Sequence, residues 1–510
     1  MPRQLSVART MRLWTCIVVT GVVWLMLAGR ADAQQATTAA VLKTSVAAGR
    51  SISKPVYASP AEAKLRAALT DHLRPLLDYK LDPAQLAAMR EALKRVAENQ
   101  LDEARLAARK IAEPVAAKLV EWKRLIHRGD VAAEDYAKFL RDNPTWPRRR
   151  LLRQLYEVKL LQEGGSAKQM HAYFTANPPV SGAGLAAFAS AEAALGRKKA
   201  AAKLAAQAWC RERIPRRIEA DFLARFKRVL TPADHRCRLD RLLIANPRSR
   251  SIRRSRVNAA SRLLPQLSPP ERQKATARIK VFARRGGLKE LRAVVKKPEL
   301  VKGDWGLAFQ RAMRSRRQKD YAHAYKILKA VPGDHPRHVN RDEWWSERQR
   351  HARYWLGKGN VKRAYGLVEG VRPESANPAK EQAFLAGWLA LMRLNRPAEA
   401  RDHFTRMVSK ADGPLSKSMS EFWLARAYSR LGSKKQALAH YKASAGIRDT
   451  FHGLMSRRAA WPNSRAITLP PARLPTPQQV RRFLGNDAVK GLLAAYQAEL
   501  PRRDILAFYK

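Results

Sequence analysis

The chain has 510 residues, 46% of them hydrophobic, with 25 Gly and 29 Pro. That is too long for one ordinary core and too varied for a low-complexity chain, so several domains or a long repeat array are expected. Lys and Arg number 99 against 43 Asp and Glu, and the net charge of +56 disfavours cationic partners and favours polyanions such as nucleic acid, anionic lipid headgroups or acidic cell-wall polymers.

Arg3, Arg9 and Arg12 precede an apolar run from Leu13 to Ala28, and Ala31-Asp32-Ala33 supplies the small residues of a signal-peptidase site. Residues 1–33 read as a secretory signal peptide, cut between Ala33 and Gln34. The apolar run is continuous, unlike an amphipathic transit peptide, and short for a membrane span. No later stretch is apolar enough to span a bilayer. Cys16 is lost with the signal. Cys210 and Cys237 remain, and an oxidising compartment allows a disulfide between them without the sequence showing that they meet. They are too far apart to make a metal site.

Residues 34–58, rich in Ala, Thr, Ser and Lys, read as a flexible leader. The helical pattern starts at Pro60. Asp82-Pro83 reads as an N-cap followed by proline at the first helical position, with Leu86, Met89, Leu93 and Val96 on one face. The same punctuation recurs at Thr231-Pro232, Ser268-Pro269, Asn377-Pro378 and Thr476-Pro477. Helices restarted this way, with no strand pattern between them, predict an all-α chain. In Asn143-Pro144-Thr145-Trp146-Pro147 the prolines stop a helix, and Trp146 is expected to pack back on it.

A repeat follows. A turn at Gly196 is followed five residues later by Ala201, Lys319 by Ala324, Gly359 by Ala364, Asn395 by Ala400 and Gly432 by Ala437. The last four turns lie 40, 36 and 37 residues apart. Two units share one template: Phe384 to Leu391, then Ala400 and Phe404; and Phe422 to Tyr428, then Ala437 and Tyr441. Gly or Asn ends the first helix, an Ala lets the second approach, and an aromatic lies one turn further on the same face. One such hairpin cannot bury its apolar face alone, so stacked neighbours are required, as in tetratricopeptide arrays. The prolines from Pro470 to Pro477 mark a linker, and residues 478–510 resume helix.

With these residues in hand, the chain resembles the superhelical part of the soluble lytic murein transglycosylases. The resemblance rests on Trp344-Trp345-Ser346-Glu347-Arg348, Phe384-Leu385-Ala386-Gly387-Trp388, Trp423-Leu424-Ala425-Arg426-Ala427 and Thr450-Phe451-His452-Gly453, with Trp122 and the Trp146 motif in the right order upstream. His452 stands where family members usually carry tyrosine. The resemblance implies a right-handed, U-shaped superhelix over residues 59–465, a linker over 466–477, and the start of a helical linker domain over 478–510. It implies a periplasmic protein acting on peptidoglycan. It marks Trp146, Phe384, Gly387, Trp388, Trp423, Arg426 and Gly453 as signature positions of structural type. In that family a lysozyme-like domain with one catalytic glutamic acid follows, and this chain ends first.

No residue here reads as catalytic. Glu374, in the single Glu-Ser pair, follows Pro373 and lies in an inter-hairpin loop, not in the apolar helix that would raise a general acid's pKa. His335 and His338 flank Pro336, which breaks any helical metal pair. No cofactor site is expected. Trp344 and Trp345 are assigned to packing. The function expected is a non-catalytic module that binds or positions peptidoglycan, with a separate transglycosylase as partner; the alternative is a tetratricopeptide-like scaffold for cell-envelope proteins. The signal peptide argues against nucleic acid as a partner.

Overall fold

A computed structural model describes residues 60–127, 131–211, 214, 216–284, 288–335, 338–463 and 474–509. The signal peptide, its Ala33–Gln34 cleavage point, the leader and most of the linker lie outside these residues. The described residues are helical with no strand among them, so the chain is all-α. They fall into two compact units, the described residues of 60–77 with 474–480 and those of 78–463 with 481–509. In the first, the helix Pro60–Leu77 carries the exposed ion pair of Arg66 and Glu62. The second holds the repeats.

Most of the repeat hairpins close by one backbone device. A residue in the left-handed region ends the first helix, and the next N–H reaches back five residues. Gly359 (φ 77°) is followed by Asn360, whose N–H donates to the Trp355 carbonyl at 2.8 Å. Gly432 and Ser433, Lys319 and Asp320, and Gly196 and Arg197 repeat this geometry. Asn395 is left-handed as well, but its helix ends in a wider turn, with Arg396 N–H donating to the Ala390 carbonyl. The expected turns are therefore turns. Two more occur at Asn99 and Glu499 that the sequence does not announce with glycine.

The alanine five residues after each turn is buried: Ala201, Ala324, Ala364, Ala400 and Ala437, and equally Ala104 after Asn99. After Glu499 the position holds Asp504, which is 1% exposed and paired with Lys123 and Arg148. Consecutive helices pack on one another, Ala376–Arg393 on Pro397–Ser409, that helix on Pro414–Arg430, and the latter on Lys434–Ala445.

Four of the five expected cap–proline starts stand. Asp82 accepts from the N–H groups of Ala84 and Gln85, and Thr231 forms a reciprocal capping box with Asp234. Ser268 and Thr476 occupy the same position before Pro269 and Pro477. Asn377 does not: its helix starts at Ala376 with Ser375 as N-cap. Pro378 sits inside the first turn, where an N–H has no helical acceptor anyway, so proline there does not mark the start.

Trp146 packs back as expected, edge-on to Phe139 at 5.7 Å and beside Trp122 at 6.4 Å. The C-terminal residues complete this cluster, with Phe508 at 5.3 Å from Trp122. Trp344 and Trp345 are both buried. Cys210 and Cys237 are joined, tying the helix Lys198–Arg211 to Pro232–Leu243 with Cα atoms 5.2 Å apart.

Gly387 shows how closely the repeats are fitted. A Cβ there would lie 2.6 Å from Cε1 and 2.8 Å from Cζ of Phe404, a buried ring stacked on Trp423. Gly387→Ala should destabilise the protein by about 1–2 kcal/mol net, the overpacking cost exceeding the gain in helix propensity. A urea midpoint unchanged or raised would contradict this packing.

Candidate functional site

Five of the seven signature residues converge. The helix Ala376–Arg393 brings Phe384 and Gly387, and the helix Pro414–Arg430 brings Trp423 and Arg426. Phe384 meets the Trp423 ring edge-on at 5.7 Å, and Phe404 stacks on its face at 5.8 Å. The Arg426 guanidinium lies 5.3 Å from the Trp423 ring centre and 5.8 Å from that of Phe422, within cation–π range. Trp388 is half-buried against the same core. Gly453 opens the helix Phe451–Ala460 beneath it; a Cβ there would lie 1.9 Å from the Ile447 carbonyl oxygen, so only glycine fits that turn. Trp146 belongs to the other end of the sequence and is core. Phe384, Gly387 and Gly453 are likewise packing residues.

Around Arg426 the surface forms an open groove of about 410 Å³. Phe422, Arg426, Ser429 and Arg430 line it from one helix, Tyr441 from the next, and Met455 and Arg458 from the helix after. Phe422, Arg426 and Arg430 recur every four residues, which puts them on one face. Tyr441 lies 6.1 Å from Phe422 and His452 5.3 Å from it. Three guanidinium groups thus line the groove with the half-buried Tyr441 ring above Phe422, which is itself only 7% exposed, and no carboxylate lines it. Arginine forks match carboxylates, and aromatic faces match the apolar face of a sugar ring. Without an acid, the groove can bind but has no group to protonate a glycosidic oxygen.

The buried glutamates are elsewhere and occupied. Glu347 is fully enclosed; Arg316 grips it with two hydrogen bonds at 2.6 and 3.0 Å, and Arg350 and His351 add one each at 3.2 Å. Burial alone would raise its pKa, but the hydrogen bonds from His351 and Arg316 outweigh it and hold the group down at about 2. Glu157 does have the raised pKa of a general acid, caused by burial. Yet it is 0% exposed, and it accepts from Val180 N–H at 2.8 Å and the Ser181 hydroxyl at 2.5 Å, at the start of the helix Gly182–Ala194. A Cβ on Gly184 would lie 2.4 Å from its carboxyl, so no substrate reaches it. Glu374 sits in an exposed loop, as its sequence context implies. Among the described residues no group of three or more His, Cys, Asp or Glu could hold a metal ion, and no helix is long and apolar enough to cross a membrane.

Neither a protein-family model nor a curated protein matches the chain. Solved structures do. A 70-kDa soluble lytic transglycosylase in complex with bulgecin A is 12% identical, covering 84% of this chain and 65% of that chain, with a TM-score of 0.42. An inactive mutant of the lytic transglycosylase Slt from Pseudomonas aeruginosa is 16% identical, covering 89% and 68%, with a TM-score of 0.45. This chain therefore spans about two thirds of the length of either transglycosylase.

Proposed function

We propose that the protein is a periplasmic module that binds or positions peptidoglycan during cell-wall turnover and leaves the cutting of glycan strands to a separate transglycosylase. The groove around Arg426 carries this reading, because it combines aromatic rings and three guanidinium groups with no carboxylic acid, where the sequence most resembles the lytic transglycosylases. Stem-peptide carboxylates suit the guanidinium groups and glycan rings the aromatic faces. In this reading residues 1–33 are removed on export, 34–58 form a leader, 59–465 form the curved helical wall, 466–477 are the linker, and 478–510 begin a linker-type domain.

Purified protein should sediment with sacculi and release no anhydro-muropeptides. The double variant Arg426→Ala/Arg458→Ala should bind about tenfold more weakly, since an ion pair in so open a groove is worth up to about 1 kcal/mol and two lost together approach the ~1.4 kcal/mol of a tenfold change. Sacculus binding indifferent to both substitutions would remove the groove from the account, and released anhydro products would overturn the division of labour.

A protein-scaffold reading has one observation in its favour. The helix Phe451–Ala460 and the residue after it leave Phe451, Met455 and Trp461 exposed, at 70%, 43% and 40%. Such a patch suits a protein surface. Recovery of one defined cell-envelope protein, without sacculus binding, would favour this second reading.

A further inference from the structure

A second basic pocket lies well before the Arg426 groove in sequence. Its volume is about 330 Å³, and it is lined by Asn246, Arg284, Arg314, Arg316, Arg317 and Gln318, over an apolar floor at Val281. It opens between the last turns of the helices Pro269–Ala283 and Trp305–Arg317. Arginines near helix C-termini are common because they meet orphan carbonyls and the negative end of the dipole. That explains Arg317, which donates to the Val281 carbonyl at 3.2 Å. Arg316 is also accounted for by its two bonds to Glu347.

Arg284 and Arg314 have no such explanation. Neither makes a side-chain hydrogen bond or an ion pair with any described residue. Arg253, from the helix Arg250–Arg262, adds a further charge within electrostatic reach of Arg284 and Arg317. Burial first, and then Arg284 and Arg316, hold Arg317 down at about 10, the mark of cations crowded together. Glu347 is the carboxylate among the main influences on Arg317, and it is already engaged by Arg316, Arg350 and His351. Arg284, Arg314, Arg316 and Arg317 therefore line one partly enclosed space from two helix ends, with Arg253 of a third helix in electrostatic reach, and no carboxylate is among the lining residues. Like charges so placed disfavour one another, and a bound anion relieves them.

The charge count selects the anion. A carboxylate brings one negative charge and two acceptor oxygens. A phosphoryl group brings nearly two charges at neutral pH and three acceptor oxygens, which match several arginine forks at once. We propose that this pocket is a binding site for a phosphoryl dianion, held by Arg284 and Arg314 with Arg317 beside them. Free phosphate, a sugar phosphate and a lipid headgroup all present this same chemistry.

The test is titration calorimetry of the whole protein with inorganic phosphate, at an ionic strength fixed with chloride so that general screening cancels. Saturable binding is expected, at least tenfold weaker in Arg284→Gln/Arg314→Gln and intermediate in Arg284→Lys/Arg314→Lys, which keeps the charge and loses the fork. Because neither side chain bonds to a described residue, helicity by circular dichroism should be unchanged. Glucose 6-phosphate and vesicles containing phosphatidic acid distinguish the sources. Tighter binding of the sugar phosphate indicates a soluble ligand, and vesicle retention displaced by phosphate indicates a headgroup; both support the site. No saturable phosphate binding, equal affinity in the glutamine variant, or vesicle retention unaffected by phosphate and by the substitutions would overturn it.

Discussion

Glu347→Ala should lower the stability of the repeat array by about 3–5 kcal/mol, the range for breaking a buried ion pair by removing one partner. Glu347 lies on the helix Arg341–Gly357, and Arg316 lies on Trp305–Arg317, so the pair joins successive hairpins. The glutamate is 0% exposed, as is His351 beside it. Removing the carboxylate leaves the Arg316 guanidinium half-buried without its acceptor and takes the acceptor from His351. Glu347→Gln keeps the shape and loses the charge, so it should fall between wild type and alanine. The measurement is the urea midpoint at pH 7.5. A loss below ~1 kcal/mol for alanine would mean that the surrounding repeats relax to rescue the arginine.

Stability should also fall steeply as pH drops from 6.5 to 4. His338 is held down at about 4, by burial first and then by the Arg348 charge, with His335 and Arg341 adding to it and Asp334 opposing. His403 is held at about 4 by burial, then by Arg406 and Arg372, against Glu399 and Asp402. Its ring also meets the Tyr365 hydroxyl at 3.1 Å. His235 and His452 are pushed down by burial as well. The folded state keeps these rings neutral, whereas the unfolded chain takes up protons near pH 6.5. Their contribution is therefore complete above pH 6.5 and is lost as pH falls to about 4. Two protons give a slope approaching ~2.7 kcal/mol per pH unit. Glu347 acts in a different window, its stabilisation being present above pH 4.5 and lost toward 2. Urea midpoints from pH 7.5 to 4.5 separate the two. A flat profile over that interval would refute the histidine assignment, and His338→Phe/His403→Phe should flatten it if the variant folds.

The repeat was legible because its constraints act on the backbone. A left-handed residue and a small side chain five positions on are required wherever two helices turn and touch, and Gly359 with Ala364 or Gly432 with Ala437 state both in plain residue types. Lys319 was found by spacing alone. The turns at Asn99 and Glu499 were missed because neither carries glycine and because Asp504 stands where alanine is the rule. Asn377-Pro378 misled because proline is tolerated anywhere in a first helical turn. Phe384, Gly387 and Gly453 pack as residues of structural type would, whereas the groove that Arg426 lines was not legible. Arg426 and Arg430 share a helix face that periodicity could have flagged, whereas Tyr441 and Arg458 reach it from other helices. The arginine pocket was hidden for the same reason, since Asn246, Arg284 and Arg314 come from three separate segments.

The C-terminal residues close the core of the first repeats. Gln497 accepts from Leu81 N–H at 2.8 Å and donates to the Tyr79 carbonyl at 3.2 Å, across 416 and 418 residues of chain. Lys118 meets Asp487 at 2.5 Å, and Lys123 and Arg148 wait for Asp504. Within this unit, the segment around Tyr79 to Trp146 cannot finish its interior until residues 487–508 have been made. Neighbour-to-neighbour hairpins can zip locally and fast, but this closure bears the loop entropy of the 416 residues that separate Leu81 from Gln497. The slowest folding phase should therefore belong to the docking of residues 487–508 on this early segment, and until it completes the unfilled surface around Trp122 is the part most exposed to chaperones and proteases.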